Sequence, residues 1–392
     1  LEIAKAVATL MMKDSNEKVG VDQVEFYSKL SVDAARELLE ARLDTEDVSR
    51  VIATDHFQDS IDKLFRAKEV FVKHGANIET QTVTVLLAKF LPKAGRLSEA
   101  RAEVDSQLSA AKGTGYLFNY AQLLYSDGQL NVYERKEQEG LRKSIEALEI
   151  YQKVEAEKYA LYPLLLIAQL HIIADTNDLG FSRSIEGFRI SHTYNHTAFI
   201  SQFLQAAGRA ATGLNKPHLA EVYLRNAVEI CDKNEMWSYG AIAKATLAAV
   251  IAQEGKTREA IQLIEKAKFV DLSKNVDAKA EKYFLMQVFS YEGKVQGLSK
   301  NYVKSEEAYR NFIAISQEFG YIDPFGIGQI KKGLGEALLE QGRKPEAAKE
   351  FNAAKEEFEK VKEGMHPKNN NKYLDYSFSG KSIDELIKLV QP

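Results

Sequence analysis

Along most of this chain, small and large apolar residues recur at helical spacing, with polar residues filling the positions between. The stripe is sharpest in residues 329–361. There Leu334, Gly335 and Leu338 share one face of a first helix, and Ala347, Phe351 and Ala354 share one face of a second. Gly342 stops the first helix, because a residue without Cβ enters left-handed backbone most easily. Pro345 falls early in the second, where its missing N–H costs nothing. One such hairpin cannot bury its own apolar faces, so it requires stacked neighbours.

The neighbours are present. Second-helix stripes read Ser60/Leu64/Ala67, Ala100/Val104, Ala220/Leu224/Ala227, Ala260/Ile264/Ala267 and Ser305/Tyr309/Phe312 before the final Ala347/Phe351/Ala354. Weaker units lie at 144–151 and at Ser184/Phe188, and the leading residues are about 40 apart over eight units. First helices match: Leu87-Ala88 with Leu91 and Gly95, Tyr120-Ala121 with Leu124 and Gly128, and Ala207-Gly208 with Ala211. Leu247-Ala248 with Ile251 and Gly255, and Leu334-Gly335 with Leu338 and Gly342, complete the set.

These motifs resemble tetratricopeptide (TPR) repeats, with their large-small pair, apolar residue, turn glycine and small/aromatic/small stripe. The resemblance covers about three-quarters of the chain. It departs from the family in period, about 40 against the usual 34 or so, and in mostly lacking the closing proline. Longer-period arrays of bacterial regulatory proteins and of kinesin light chains are similar in this respect. The expected fold is all-α: an α-solenoid of about eight TPR-like hairpins over 56–362. An irregular helical cap or degenerate repeat is expected over 1–55, and a linker with a C-terminal capping helix over 363–392.

Within the N-terminal cap, residues 1–12, 21–30 and 31–43 read as helices. Ser31 is the N-cap of the third, which carries a stripe of Ala34, Leu38, Leu39 and Leu43. Two stretches read as interruptions of the array: a solvated charged insertion at 131–140, and an ordered loop packing its own rings at 318–328. Ser382 and Glu385 form a capping box for a last helix bearing Leu386, Ile387, Leu389 and Val390. That helix is too apolar to stand alone. It is expected to dock as a cap, with insertion into the groove as the alternative.

Composition narrows the functional classes. With 52 basic and 56 acidic residues and a net charge of −4, the chain is not built to neutralise a nucleic-acid backbone. Its one cysteine, Cys231, forms no internal disulfide and reads as a small core residue. No apolar run approaches the roughly 20 residues of a membrane span. The chain opens at Leu1 without an initiator Met or a basic-then-apolar leader, so it reads as an excised or processed piece, with cytoplasmic localisation expected.

Candidate chemistry is sparse. His192 and His196 are spaced i, i+4, but no acidic residue accompanies them, and they read as ordinary histidines rather than metal ligands. Asn195 begins a glycosylation sequon that a packed helix would hide. Gly326, Gly328 and Gly333 fit no phosphate-binding fingerprint. No enzyme, cofactor or metal is expected. The TPR resemblance implies a concave face of first helices. That places Lys89, Lys93, Asn119, Gln122, Tyr125, Gln202, Gln205, Arg209, Gln253, Lys332 and Glu336 toward a groove. The Lys/Asn clamp that binds EEVD-type tails is not reproduced. The expected function is a non-enzymatic protein-interaction scaffold binding a partner segment in that groove. The alternative is a regulatory domain sensing a peptide or small molecule, and the terminal helices offer a route to a homodimer.

Overall fold

The computed structural model describes residues 5–6, 19–50, 57–269, 278–318, 324–360 and 378–391. The helix expected at 1–12, the tip of the expected loop at 319–323 and most of the linker lie outside them. Every described element is helical. The first nine helices are α1 (Val19–Ser28), α2 (Val32–Arg50), α3 (Phe57–His74), α4 (Asn77–Phe90), α5 (Leu97–Ala111), α6 (Leu117–Tyr133), α7 (Glu137–Lys153), α8 (Glu157–Ile173) and α9 (Asn177–Thr193). They continue as α10 (Thr197–Gly213), α11 (Pro217–Lys233), α12 (Trp237–Gln253), α13 (Thr257–Lys268), α14 (Ala278–Leu298), α15 (Tyr302–Glu318), α16 (Pro324–Glu340), α17 (Lys344–Lys360) and α18 (Ile383–Val390). The chain divides into two compact units, Leu1–Leu166 and Ile167–Pro392.

The long period has a simple origin. Each helix from α6 to α12 is 17 residues long. A three-residue turn follows each, so one helix and turn occupy 20 residues and a hairpin occupies 40. The turns are closed alike. Left-handed backbone recurs at every twentieth residue from Gly75 through Arg135, Glu155, Asp175, Asn195, Asn215 and Glu235 to Gly255. The N–H of the following residue then bonds back across the turn, as Ala156 N to Tyr151 O (2.8 Å) and His196 N to Ser191 O (2.8 Å), satisfying carbonyls the helix end leaves open. After α13 the spacing lengthens. Among the described residues, the next left-handed ones are Lys300 and Gly342.

The second-helix stripes read from the sequence are buried, from Ser60, Leu64 and Ala67 to Ala347, Phe351 and Ala354, except that Phe188 is half-buried. The small residue of each first helix makes room for the large residue of its partner. A Cβ added at Gly335 would fall 2.5 Å from the Phe351 ring, and one at Gly208 would fall 2.6 Å from Leu224. Ser382 accepts from Glu385 N (3.3 Å) while Glu385 accepts from Ser382 N (2.7 Å), so the capping box is present. Helix α18 packs on α17 and α16, with Leu386 buried among Leu338, Phe351 and Tyr309.

Five local expectations are corrected. Residues 131–140 are no insertion: they are the end of α6, one turn and the start of α7, with Asn131, Glu137 and Gly140 buried. Gly128 is not a turn residue but lies inside α6, where a Cβ would sit 3.1 Å from Gly140 O; the two helices cross closely there. Within 318–328, Pro324 to Gly328 open α16 instead of forming a loop. The buried stripe of α2 is Leu38, Ala41, Thr45 and Val48, while Leu39 and Leu43 face solvent. Ser31 does cap α2, accepting from Ala34 N (3.2 Å). On α18, Leu389 is also exposed, leaving Leu386 as the anchor.

Candidate functional site

The first helices of successive hairpins touch one another directly: α2 with α4 and α4 with α6 in the first unit; α10 with α12, α12 with α14 and α14 with α16 in the second. Within each unit they line up as a row. Their side chains that point away from the packing repeat at 40-residue intervals, so Lys89 and Gln129 are equivalent on α4 and α6, as are Gln122 and Tyr162 on α6 and α8.

In the first unit Lys89 and Lys93 are exposed, Gln122 and Tyr125 are half-buried, and Asn119 is buried in the packing. Lys89 Nζ lies over the Phe90 ring, 5.4 Å from its centroid. Both lysines keep solvent contact, yet the surrounding protein lowers their pKa. For Lys93 desolvation, joined by repulsion from Lys89, brings it down to about 8. The sequence reading missed three exposed tyrosines of this unit. Tyr133, Tyr159 and Tyr162 are exposed. Tyr162 lies 6.0 Å from Tyr125 between ring centroids, and Phe118 meets Tyr151 and Tyr159 edge-on at 5.7 and 4.7 Å. Burial, then the neighbouring phenols, raises the pKa of Tyr125 and Tyr162, so both stay neutral.

In the second unit Gln202 and Arg209 are half-buried, Gln205 is buried and Gln253 is exposed. Gln202 Nε2 donates to Ala198 O (3.2 Å) on its own helix. An open cleft of about 580 Å³ lies between α12 and the end of α13, lined by Asp232, Trp237, Lys244, Glu265 and Phe269. It opens where α13 stops after 12 residues. Lys244 spans its floor to Asp232 at 2.5 Å.

Lys332 and Glu336 do not face open solvent as expected; both are buried. The chain itself covers Glu336. Its carboxylate accepts from Phe378 N (2.9 Å), Ser379 N (3.2 Å) and Ser379 Oγ (2.6 Å). Phe378 stacks with Tyr302, centroids 6.0 Å apart, and fills the space over Gly297, where a Cβ would meet its ring at 2.1 Å.

The histidine pair is separated. His192 ends α9 against Phe188, whereas His196 lies beyond the left-handed Asn195 and packs on Phe199. Asn195 is thus in an exposed turn, not a packed helix. Cys231 is buried, and burial pushes its thiol pKa up, as suits a core residue. Among the described residues His218, Glu221 and Glu254 converge in a geometry that a metal could use. Lys256 Nζ already sits 2.8 Å from Glu221 and 2.9 Å from Glu254, with Arg225 2.6 Å from Glu221. Those cations make the cluster an ion-pair network between α11, α12 and α13. No helix among the described residues is long and apolar enough to cross a membrane.

No protein-family model matches the chain, and no curated protein matches it by sequence. Solved structures do. The apo form of RapI aligns with 72% of this chain and 99% of its own, at 17% identity and a TM-score of 0.55. A Rap protein complexed with competence and sporulation factor aligns with 92% of this chain and 98% of its own, at 13% identity and a TM-score of 0.54. Aspartyl phosphate phosphatase F from Bacillus subtilis aligns with 87% and 97%, at 12% identity and a TM-score of 0.56. At such identities the likeness is one of fold. The chain has an all-helical, TPR-like repeat fold.

Proposed function

We propose that this chain is a non-enzymatic interaction module that holds an extended segment of a partner polypeptide along its row of first helices. The observation that carries the reading is Glu336. A first-helix carboxylate takes two consecutive backbone N–H groups and a side-chain hydroxyl of an extended stretch, while the adjoining phenylalanine fills a space over a glycine. That is how a surface recognises main chain and side chain together. The half-buried amides Gln122 and Gln202 offer similar partners on other first helices. A peptide signal in place of a partner protein is the second reading. It is favoured by the similarity in fold to a Rap protein complexed with competence and sporulation factor.

A random peptide library displayed on phage and selected against the whole chain tests the proposal. Enriched peptides should bind in solution with Kd below about 100 μM. Failure of every enriched peptide to bind more tightly than about 1 mM would sink both readings.

A further inference from the structure

The contacts that hold residues 378–381 address features any polypeptide can carry. Glu336 takes the N–H groups of two consecutive residues, Phe378 and Ser379, and the Ser379 hydroxyl as well. Every extended segment offers such N–H groups, and an ionised acceptor binds them more strongly than a neutral one. The Phe378 ring lies over Gly297 of α14, whose bare backbone leaves the room, and stacks within 27° of the Tyr302 ring. The Tyr302 hydroxyl donates to Glu340, one turn on from Glu336, which fixes that ring. Ser379 Oγ also accepts from Lys381 N at 3.2 Å, and Gly380 between them has φ 70°. Three residue types are thus specified in order: an aromatic ring, a short hydroxyl and a residue at ease in left-handed backbone. A different part of the tail anchors it. Leu386 on α18 is buried among Tyr309, Leu338 and Phe351, and Asp384 lies 3.1 Å from Lys355 on α17. Ser379 and Gly380 are exposed and Phe378 is half-buried. With Leu386 as anchor, residues 378–381 leave Glu336 without undocking α18, a local opening that costs far less than unfolding the unit.

Resting on the interaction-module reading, we infer that Gly297, Tyr302 and Glu336 form a docking site for partner segments that read aromatic-Ser/Thr-Gly, and that Phe378-Ser379-Gly380 is a resident ligand which such a partner displaces. Position by position the chemistry is restrictive. An aliphatic chain in first place lacks the flat face that stacks on Tyr302. An acidic or phosphorylated residue in second place meets the Glu336 carboxylate and is refused. A residue with a Cβ in third place bears the cost of left-handed backbone. Because the resident segment belongs to the same chain, it competes at an effective concentration of about a millimolar. A partner's apparent affinity is therefore reduced in proportion to the chains whose site is filled. The tail of a second copy carries the same residues, but below about a millimolar each copy's own tail reaches the site first, which favours a different polypeptide as the partner.

The test titrates a fluorescent peptide of residues 373–384 into the whole chain by anisotropy. A chain carrying Phe378→Ala with Ser379→Asp should bind it about tenfold more tightly than the parent does, because the resident segment no longer competes. Ser379→Asp alone, at an exposed residue, should give part of the gain with an unchanged helical spectrum. Adding Glu336→Gln to the double variant should lose the gain, and so should Gly297→Ala, which fills the space of the ring. Peptides with Phe378→Leu, Ser379→Asp or Gly380→Val should each bind the double variant about tenfold more weakly than the unchanged peptide. Equal affinity of the parent and both tail variants makes the contact purely structural and overturns the inference. A scrambled peptide that binds as well also overturns it, as does a Ser379→Lys peptide that binds better, since bare charge would then be the determinant. A concentration-dependent dimer of the parent that the tail variants lose would make a second copy the occupant and overturns it too. Phage-selected peptides that bind the whole chain and ignore Glu336→Gln leave the interaction module standing through other first helices while this site falls. Failure of the 373–384 peptide together with failure of that selection removes the module reading itself.

Discussion

Glu155 offers a clean test of how the 20-residue period is held. It is exposed, it sits at φ 55°, and it joins α7 to α8. For a residue with a Cβ the left-handed region costs roughly 1–2 kcal/mol, a cost that glycine escapes. Glycine gives back about 0.5–1 kcal/mol through the greater freedom of its unfolded chain. Glu155→Gly should therefore stabilise the first unit by about 0.5–1 kcal/mol, or a melting shift of about 2–4 °C per kcal/mol for a unit of this size. The converse is testable in the second unit. Gly255 and Gly342 have φ of 83° and 78°, and no atom lies within 4 Å of a Cβ added at either, so Gly→Ala there carries the backbone cost alone, about 1 kcal/mol. Asn195→Gly should gain only a few tenths, because asparagine bonds locally in this region. Urea unfolding followed by circular dichroism, with the m-value checked for constancy, measures all four. A destabilised Glu155→Gly together with a silent Gly255→Ala would mean that the turns do not set the period.

Gly335→Ala should cost about 1–3 kcal/mol, because its methyl would meet the Phe351 ring, and Leu338→Ala should cost about 2–5 kcal/mol by leaving a cavity; urea midpoints measure both. Deleting 378–391 should lower the stability of the second unit by uncovering the partners of Leu386, and peptides selected on the whole chain should bind the shortened one more tightly if they compete for Glu336. Burial alone would raise the pKa of Glu134, but hydrogen bonds from Arg101 and Lys136 outweigh it and hold the carboxyl below its ordinary 4.5. Its contribution is then present above pH 4.5 or so and lost as pH falls through the folded-state value. The stability gap between parent and Glu134→Gln should close on acidification, and a gap that widened would refute the assignment.

The hairpins were legible because packing leaves a periodic mark. Ala347, Phe351 and Ala354 can be read as one stripe since helix geometry puts them on one face, and burial confirms it. The 20-residue module was not legible. Four of its turns are held by Arg135, Glu155, Asp175 and Glu235, which look like solvated charge, while Gly75, Gly95, Gly115 and Gly255, and more weakly Asn195 and Asn215, carry the usual signal. The same blindness turned residues 131–140 into an insertion. Site residues were harder still. A first-helix polar side chain reads alike whether it faces solvent, as Lys89 does, or is covered by the chain's own tail, as Glu336 is. The partner of Glu336 lies 42 residues away, beyond any local periodicity.

The division between legible and illegible positions is also what lets such a fold carry recognition. Packing fixes the pairs that meet inside a hairpin, such as Gly208 with Leu224 or Gly335 with Phe351, and any change there is felt. It leaves the outward positions of the first helices free. The 40-residue series that begins with Lys89 and Gln129 in the first unit continues as Gln169 and Arg209 in the second, on helices of the same length. Charge and amide thus succeed one another at one structural position without disturbing the stack. Two units built on one packing rule can present different chemistry. The first keeps Lys89 and the Tyr162 ring exposed, whereas in the second a carboxylate already holds the chain's own main chain. A ligand for the first unit must meet an available surface, and one competing at Glu336 must first displace Phe378 and Ser379. Affinity at the two should therefore respond differently to loss of the tail: unchanged at the lysines, increased at Glu336.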